Sequence, residues 1–153
     1  MIDKKIDKSE SQFDNRQSSR QTFNRESYKG GFRDLDVYQT LLEGVEIVHS
    51  KIIPSLPEVE KYGLADQLRR SSKSPLALLA EGHAKRRHHR SWIKYLEDCI
   101  GECNETICHL DIALRSYPKH IPQSDCLKAM DIYDKASRQL YNLGKSWKEE
   151  KNR

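Results

Sequence analysis

The 153-residue sequence contains no long apolar run. No window approaches the roughly 18 consecutive apolar residues that a membrane-spanning helix requires, so we expect no membrane association. The first residues, MIDKKIDKSESQFD, also lack the apolar segment of a secretory signal. These two absences predict a cytoplasmic protein.

Cysteine is scarce, and its spacing is unlike that of a metal site. The four cysteines are Cys99, Cys103, Cys108 and Cys126, and we expect reduced thiols in the cytoplasm. Cys99 and Cys103 fall in an apolar stripe, where free cysteine behaves as a small buried hydrophobe. The sequence also lacks the pair of Glu-x-x-His motifs that a di-iron site in a helical protein would need. We therefore predict core packing for Cys99 and Cys103, no metal and no cofactor.

Four stretches carry apolar residues at helical spacing, and none alternates as a strand would. Prolines that cannot continue a helix separate the first two stretches (Pro54 and Pro57) and the last two (Pro118 and Pro122). The predicted helices run from Asp34 to Ile53, from Glu58 to Glu81, from His88 or Ser91 to Leu114, and from Ser124 to Glu149.

Five residues give the predicted helices their local features. Asp34 and Ser124 are expected N-caps, because a side-chain oxygen there can accept a hydrogen bond from a free backbone N–H group. Pro75 should bend the second helix, since it removes one hydrogen bond and clashes with the preceding turn. Gly82 should lie just past the end of that helix. Gly44, inside the first helix, is expected to permit close approach of a neighbour.

Short connections make sequential helices antiparallel neighbours, so the expected fold is all-α, an up-down-up-down antiparallel four-helix bundle over residues 32–150. The wide stripes, which include Trp92 and Trp147, predict further assembly into a ring or a dimer. Residues 1–31 are polar and lack periodicity, which predicts a disordered tail. The alternative for this tail is a basic arm that touches nucleic acid or a partner protein.

The segment from Arg69 to Lys94 is the main candidate for function. The net charge of the chain is only +4, but eight cations fall in this segment, and Asp66 and Glu81 are the only acids from Asp66 through Lys94. Arginine predominates, and its guanidinium group suits bidentate phosphate contacts. The predicted nucleic-acid-binding residues are Arg69, Arg70, Lys73, Lys85, Arg86, Arg87, Arg90 and Lys94. The alternative is a solvated charged face without a ligand.

A catalytic alternative rests on Arg115 and His120, which have four residues between them. This spacing resembles the Arg-x4–6-His motif of HEPN-type ribonucleases, which are also all-helical. In such an enzyme the arginine would stabilise phosphate charge and the histidine would act on the 2′-hydroxyl group. Pro118 lies inside the motif, so the competing interpretation is an exposed loop.

Four motifs together resemble a known family. They are Phe32–Tyr38 (FRDLDVY), Asp66–Arg70 (DQLRR), Ser74 with Ala80–Gly82 (AEG), and Gly101 with Glu105. In this order and spacing they are similar to the bacterial four-helix-bundle proteins encoded in intervening sequences of 23S ribosomal RNA genes. That family resembles in turn the accessory variability proteins of diversity-generating retroelements. The resemblance implies a homopentameric ring and, for the retroelement branch, a non-catalytic protein that binds RNA or DNA and a reverse transcriptase.

The chain departs from the family pattern between Ser74 and Gly82. The usual proline is one residue earlier, as Pro75, and Leu78 replaces an asparagine. The segment Leu143–Trp147 (LGKSW) resembles the end of the retroelement accessory proteins. We therefore expect a non-enzymatic protein that binds RNA or an RNA–DNA hybrid and assists a reverse transcriptase. The alternatives are the HEPN-like ribonuclease and a purely structural oligomer.

Overall fold

The computed structural model describes the backbone of residues 30–151 and the side chains of residues 30–147. Every regular element in this part of the chain is helical, which confirms the predicted class. The α-helices are α1 (Asp36–Ile47), α2 (Leu64–Ser71), α3 (Ser74–Ala84), α4 (His89–Ser116) and α5 (Gln123–Lys151). Within residues 30–151, no helix is both long enough and apolar enough to cross a membrane. The predicted tail, residues 1–31, lies outside the described residues except for Gly30 and Gly31.

The first helix differs from the predicted span of Asp34 to Ile53. Asp34 belongs to a preceding 3-10 turn, where its carboxylate accepts hydrogen bonds from the backbone of Gly30 and Gly31. It is therefore not the N-cap of α1, and that prediction is wrong. After α1 the chain widens into a π-helical turn, Val48–Ile52, and then tightens into 3-10 turns around Pro54.

The second predicted helix is two helices, α2 and α3, and residues 58–63 before them form a 3-10 turn and a loop. Pro75 is the cause of the break, because it cannot donate to a carbonyl one turn earlier. Within the break, the carbonyl of Ser72 accepts a hydrogen bond of 3.0 Å from the hydroxyl of Tyr133 on α5. Gly44 of α1 makes room for that tyrosine, since a Cβ atom there would lie 2.9 Å from the ring. The expected close approach at Gly44 is confirmed.

The prediction that Gly82 follows the end of its helix is wrong. The helix continues to Ala84, and Gly82 is buried inside it. A Cβ atom at Gly82 would lie 2.5 Å from Cβ of Tyr95 and 3.3 Å from the ring of Trp92. Gly82 is therefore required for the close contact between α3 and α4, and it does not act as a helix C-cap.

The last two helices lie close to their predicted spans. The prediction that Ser124 caps the last helix is nevertheless wrong, because α5 begins at Gln123 and the carbonyl of Pro122 accepts the bond from Cys126 N. All five helices contribute to one apolar core, in which Trp92 is fully buried as the stripe predicts. The largest fully buried side chains are Trp92, Tyr133, Leu41, Ile52, Leu68, Leu79, Leu110 and Leu140.

Candidate nucleic-acid interface

The eight predicted cations form two groups at opposite ends of α3. The α2 group is Arg69, Arg70 and Lys73; the loop group is Lys85, Arg86, Arg87, Arg90 and Lys94. All eight side chains are at least partly exposed. Since α3 contains 11 residues, its two ends are about 16 Å apart. The cations therefore form two separate surfaces, one at each end of α3.

In the α2 group, two of the three cations have intramolecular partners. Arg69 Nη1 donates to the carbonyl of Lys61 at 3.2 Å. Arg70 forms an exposed ion pair with Asp66 at 3.5 Å, one helical turn away. Lys73 is exposed, and its side chain forms no hydrogen bond or ion pair within the described part of the chain. Lys73 is therefore the cation of this group that is most available to an anion.

His49 is a member of this site that sequence reasoning missed. It lies on the π-helical turn, and its Nε2 atom is 3.1 Å from the hydroxyl oxygen of Ser72. Burial lowers the pKa of His49, and the positive charges of Lys73 and Arg69 lower it further. An anion held by these two cations would weaken that effect. A π-turn of this kind follows from tertiary contacts, so the apolar periodicity gave no signal for it.

In the loop group, Lys85 joins α3 to α4. Its Nζ atom donates to Glu81 Oε1 and to the hydroxyl of Tyr95, both at 2.6 Å, and lies 4.9 Å from the centroid of the tyrosine ring. The hydrogen bond with Glu81 is the largest cause that raises the pKa of Lys85 to about 12. Lys85 is thus fully charged, but its ammonium group is already hydrogen-bonded within the protein.

The other loop cations differ in how free they are. Arg86 Nη1 donates to the carbonyl of His83 at 2.9 Å. Lys94 pairs with Asp98 at 2.7 Å, and this hydrogen bond raises the pKa of Lys94. Arg87 and Arg90 are exposed, and neither side chain forms a hydrogen bond or an ion pair within residues 30–147. These two arginines are the free charges of the loop group.

An aromatic cluster lies beneath the loop group. The ring of Trp92 is 6.2 Å from that of His83 and 5.8 Å from that of Trp147, and Phe32 lies 6.4 Å from His83. Burial lowers the pKa of His83, and the charge of Arg86 lowers it further. The cluster joins the ends of three helices and holds the base of the cationic loop in place.

The residues of the ribonuclease alternative lie near each other in sequence but have separate partners. Arg115 Nε donates to both carboxylate oxygens of Asp111, at 2.9 and 3.0 Å. His120 is exposed in the following turn, with its ring 6.2 Å from that of Tyr117. No hydrogen bond or ring contact joins Arg115 to His120, so this geometry adds no support to the ribonuclease prediction.

Cys99 and Cys103 belong to the predicted apolar stripe, whereas Cys126 and the exposed Cys108 do not. Cys99, Cys103 and Cys126 are fully buried, which confirms core packing. Burial is the main cause that raises the pKa of Cys99 and Cys103 to about 12. One Glu-x-x-His spacing does occur, from Glu46 to His49. Among the described residues, however, no three His, Cys, Asp or Glu side chains come together as a metal site would require.

The described part of the molecule is all-helical and has two cationic surfaces, one at each end of α3. A family model described as 23S rRNA-intervening sequence protein matches residues 33–142, which include both cation groups. The chain belongs to the 23S rRNA-intervening sequence protein family, as the sequence motifs indicate. No curated protein sequence matches the chain significantly.

Proposed function

We propose that this protein is a non-enzymatic, cytoplasmic nucleic-acid-binding protein that contacts the phosphates of RNA or of an RNA–DNA hybrid. The observation that carries the proposal is the exposure of Lys73, Arg87 and Arg90 without intramolecular partners. The family's link to ribosomal RNA genes is compatible with an RNA-related role.

The paired cations have a different part in this proposal. Surface ion pairs contribute little to stability, so Arg70 and Lys94 can exchange their carboxylates for phosphate at small cost. Lys85 bridges two helices and instead fixes the shape of the loop. Arg69 and Arg86 each donate to a backbone carbonyl, which orients the guanidinium group and leaves its charge uncompensated. Five to seven phosphate contacts would make binding weakly sequence-specific and steeply salt-dependent. On a single strand, each contact lowers the logarithm of the binding constant by roughly 0.7 for each tenfold increase in salt concentration.

The proposed architecture is an up-down-up-down antiparallel four-helix bundle that assembles as a homopentamer. Along α4 and α5, a Cβ atom added at Gly144 would lie 3.3 Å from Leu96, and Cys126 Sγ donates to the carbonyl of Leu110, which supports antiparallel pairing of the two helices. Apolar side chains also remain exposed on three helices, as subunit contacts would require. They are Leu42, Ile112 and Leu127. A ring would repeat both cation groups in every subunit and so multiply weak contacts.

We further propose a reverse transcriptase of a diversity-generating retroelement as the protein partner. The support is the resemblance of Leu143–Trp147 to the end of the retroelement accessory proteins. Trp147 is half-buried, with its ring 5.8 Å from that of Trp92, so this segment continues the aromatic cluster below the loop group. A protein partner bound at this end of the molecule would lie next to nucleic acid bound by Arg87 and Arg90.

The deciding experiment reverses the two free arginines of the loop. Arg87→Glu/Arg90→Glu should weaken binding of a fluorescein-labelled RNA by about tenfold or more and reduce the salt slope by about 1.4, measured by fluorescence anisotropy. The matched control is Lys135→Glu/Arg138→Glu on α5, which changes the net charge equally at exposed positions. Light scattering should give the same mass for both variants and the wild type.

Equal loss of binding in both variants would show that only net charge matters and would refute the assigned surface. If the wild-type protein shows no salt-dependent binding of RNA, the proposal is refuted and the purely structural oligomer remains. Gel analysis of the same RNA would reveal cleavage, and cleavage lost on His120→Ala would replace this proposal with the ribonuclease.

A further inference from the structure

The turn that leads into α2 carries the two most exposed large apolar side chains of the described chain. Tyr62 is 87% exposed and Val59 is 83% exposed. Scattered exposed residues are ordinary, but a tyrosine ring this free contributes nothing to the core. An amphipathic ring that protrudes into solvent is suited to stacking on a ligand.

One cation lies next to the Tyr62 ring, and a second is bonded to the same turn. Nζ of Lys61 lies 5.5 Å from its centroid. The guanidinium group of Arg69 is bonded to the carbonyl of Lys61, which places Arg69 against the same turn. Lys73 follows Arg69 by four residues, and both lower the pKa of His49. Lys61 and Arg69 therefore connect the aromatic ring to the α2 group.

The neighbouring acids compensate Lys61 but not Arg69 or Lys73. Glu60 is held by the turn and by the far end of α4: one carboxylate oxygen accepts from the backbone of Leu64 at 2.8 Å, and the other accepts from the hydroxyl of Tyr117. Glu58 forms an exposed ion pair of 3.4 Å with Lys61. Arg69 and Lys73 are left without a carboxylate partner among the described residues.

We propose that Tyr62 stacks on an unpaired base of a single-stranded nucleic acid whose phosphates contact Arg69 and Lys73. This inference deepens the proposed function, on which it rests, by naming single strands as the preferred substrate class. An aromatic ring beside a cationic surface is the usual platform for single strands, because every base has a stacking face. In a duplex those faces are covered by neighbouring bases, so the ring would gain nothing there.

The chain supplies a matched control in Tyr141, which is also well exposed, at 67%. Its surroundings differ, because it lines an apolar groove between α4 and α5 together with Ile93 and Ile100. No residue of either cation group lines this groove. A general effect of removing a surface tyrosine would therefore appear in Tyr141→Ala as well.

The experiment measures anisotropy of an unstructured single-stranded RNA and of a duplex with the same sequence, using the full chain. Tyr62→Ala should weaken single-strand binding by about fivefold to a hundredfold and leave duplex binding unchanged. Tyr62→Phe should bind like the wild type, because it keeps the stacking face. Tyr141→Ala should also bind like the wild type, and circular dichroism should show the same fold for all variants.

Single-strand binding by Tyr62→Ala at the wild-type level would overturn the stacking inference. So would an equal loss on the duplex, or a loss in Tyr62→Phe as large as in Tyr62→Ala. A changed oligomer mass in Tyr62→Ala would place the ring in a protein contact and also overturn it. If Arg87→Glu/Arg90→Glu abolishes binding in the same assay, the proposed function stands without this inference; if the wild type binds neither RNA, both fall.

Discussion

Two helical glycines should respond in opposite directions to the same substitution. Alanine at Gly82 would bring its Cβ atom to 2.5 Å from Cβ and 2.9 Å from Cγ of Tyr95. Cβ of Tyr95 is fixed by the backbone of α4, so relief requires α4 to move away from α3. Gly101, also inside α4, is exposed, and its added Cβ atom would meet nothing within 4 Å.

The magnitudes follow from two opposing effects. Glycine to alanine within a helix is worth about 1 kcal/mol of stability, while overpacking costs about 1–3 kcal/mol and occasionally more. The contact at Gly82 is between two backbone-anchored atoms, so we place its cost at the upper end. Gly82→Ala should then lower the free energy of unfolding by about 2 kcal/mol, whereas Gly101→Ala should raise it by about 1 kcal/mol.

Urea unfolding followed by circular dichroism, at one fixed protein concentration, would measure both changes. The thermal midpoints should differ by about 6–12 °C between the two variants, given about 2–4 °C per kcal/mol at this chain length. An increase in stability for Gly82→Ala would refute the close contact of α3 with α4. Unchanged stability for Gly101→Ala would refute only the propensity argument.

Two further predictions concern titration and thiol chemistry. The free energy of unfolding should fall as pH decreases below about 6.5, because the lowered pKa of His49 makes the unfolded chain bind more protons there. Urea unfolding from pH 7.5 to 5 should show this slope, and it should be smaller in His49→Gln; an equal slope would assign it to other groups. Cys108 is the exposed thiol, whereas Cys99, Cys103 and Cys126 are buried. An aromatic disulfide reagent should therefore titrate one thiol in the folded chain and four after denaturation, and rapid reaction of a second thiol would contradict the core.

The apolar periodicity was sufficient to predict the helical class and the spans of α4 and α5. It failed at the break between α2 and α3, because the partners that stabilise the break are distant in sequence. Ser72 is bonded by Tyr133, 61 residues later, and by His49, 23 residues earlier. Pro75 correctly indicated where the helix would be irregular. Whether the helix bends or breaks there depends on long-range contacts, which the local sequence does not contain.

The candidate site was predicted as a set of charges, and the structure separates those charges by their partners. Three cations are paired with carboxylates four residues away: Arg70 with Asp66, Lys85 with Glu81, and Lys94 with Asp98. This spacing is readable in the sequence, because such residues are neighbours on a helix surface. The free state of Lys73, Arg87 and Arg90 could have been inferred in the same way. The exposure of Tyr62 could not, since it depends on how the turn before α2 leaves the core.

The two cation groups are held in place by the same device. At one end of α3, Gly44 admits Tyr133, whose hydroxyl bonds to Ser72 beside Lys73. At the other end, Gly82 admits Tyr95, whose hydroxyl is bonded within the network that Lys85 and Glu81 share. In each case a glycine lets a tyrosine from another helix reach the polar groups where α3 starts or ends. Because the backbone that carries these cations is fixed, it loses less conformational entropy on binding phosphate than a loose loop would. This advantage explains how a chain of modest net charge could bind a nucleic acid with a few contacts.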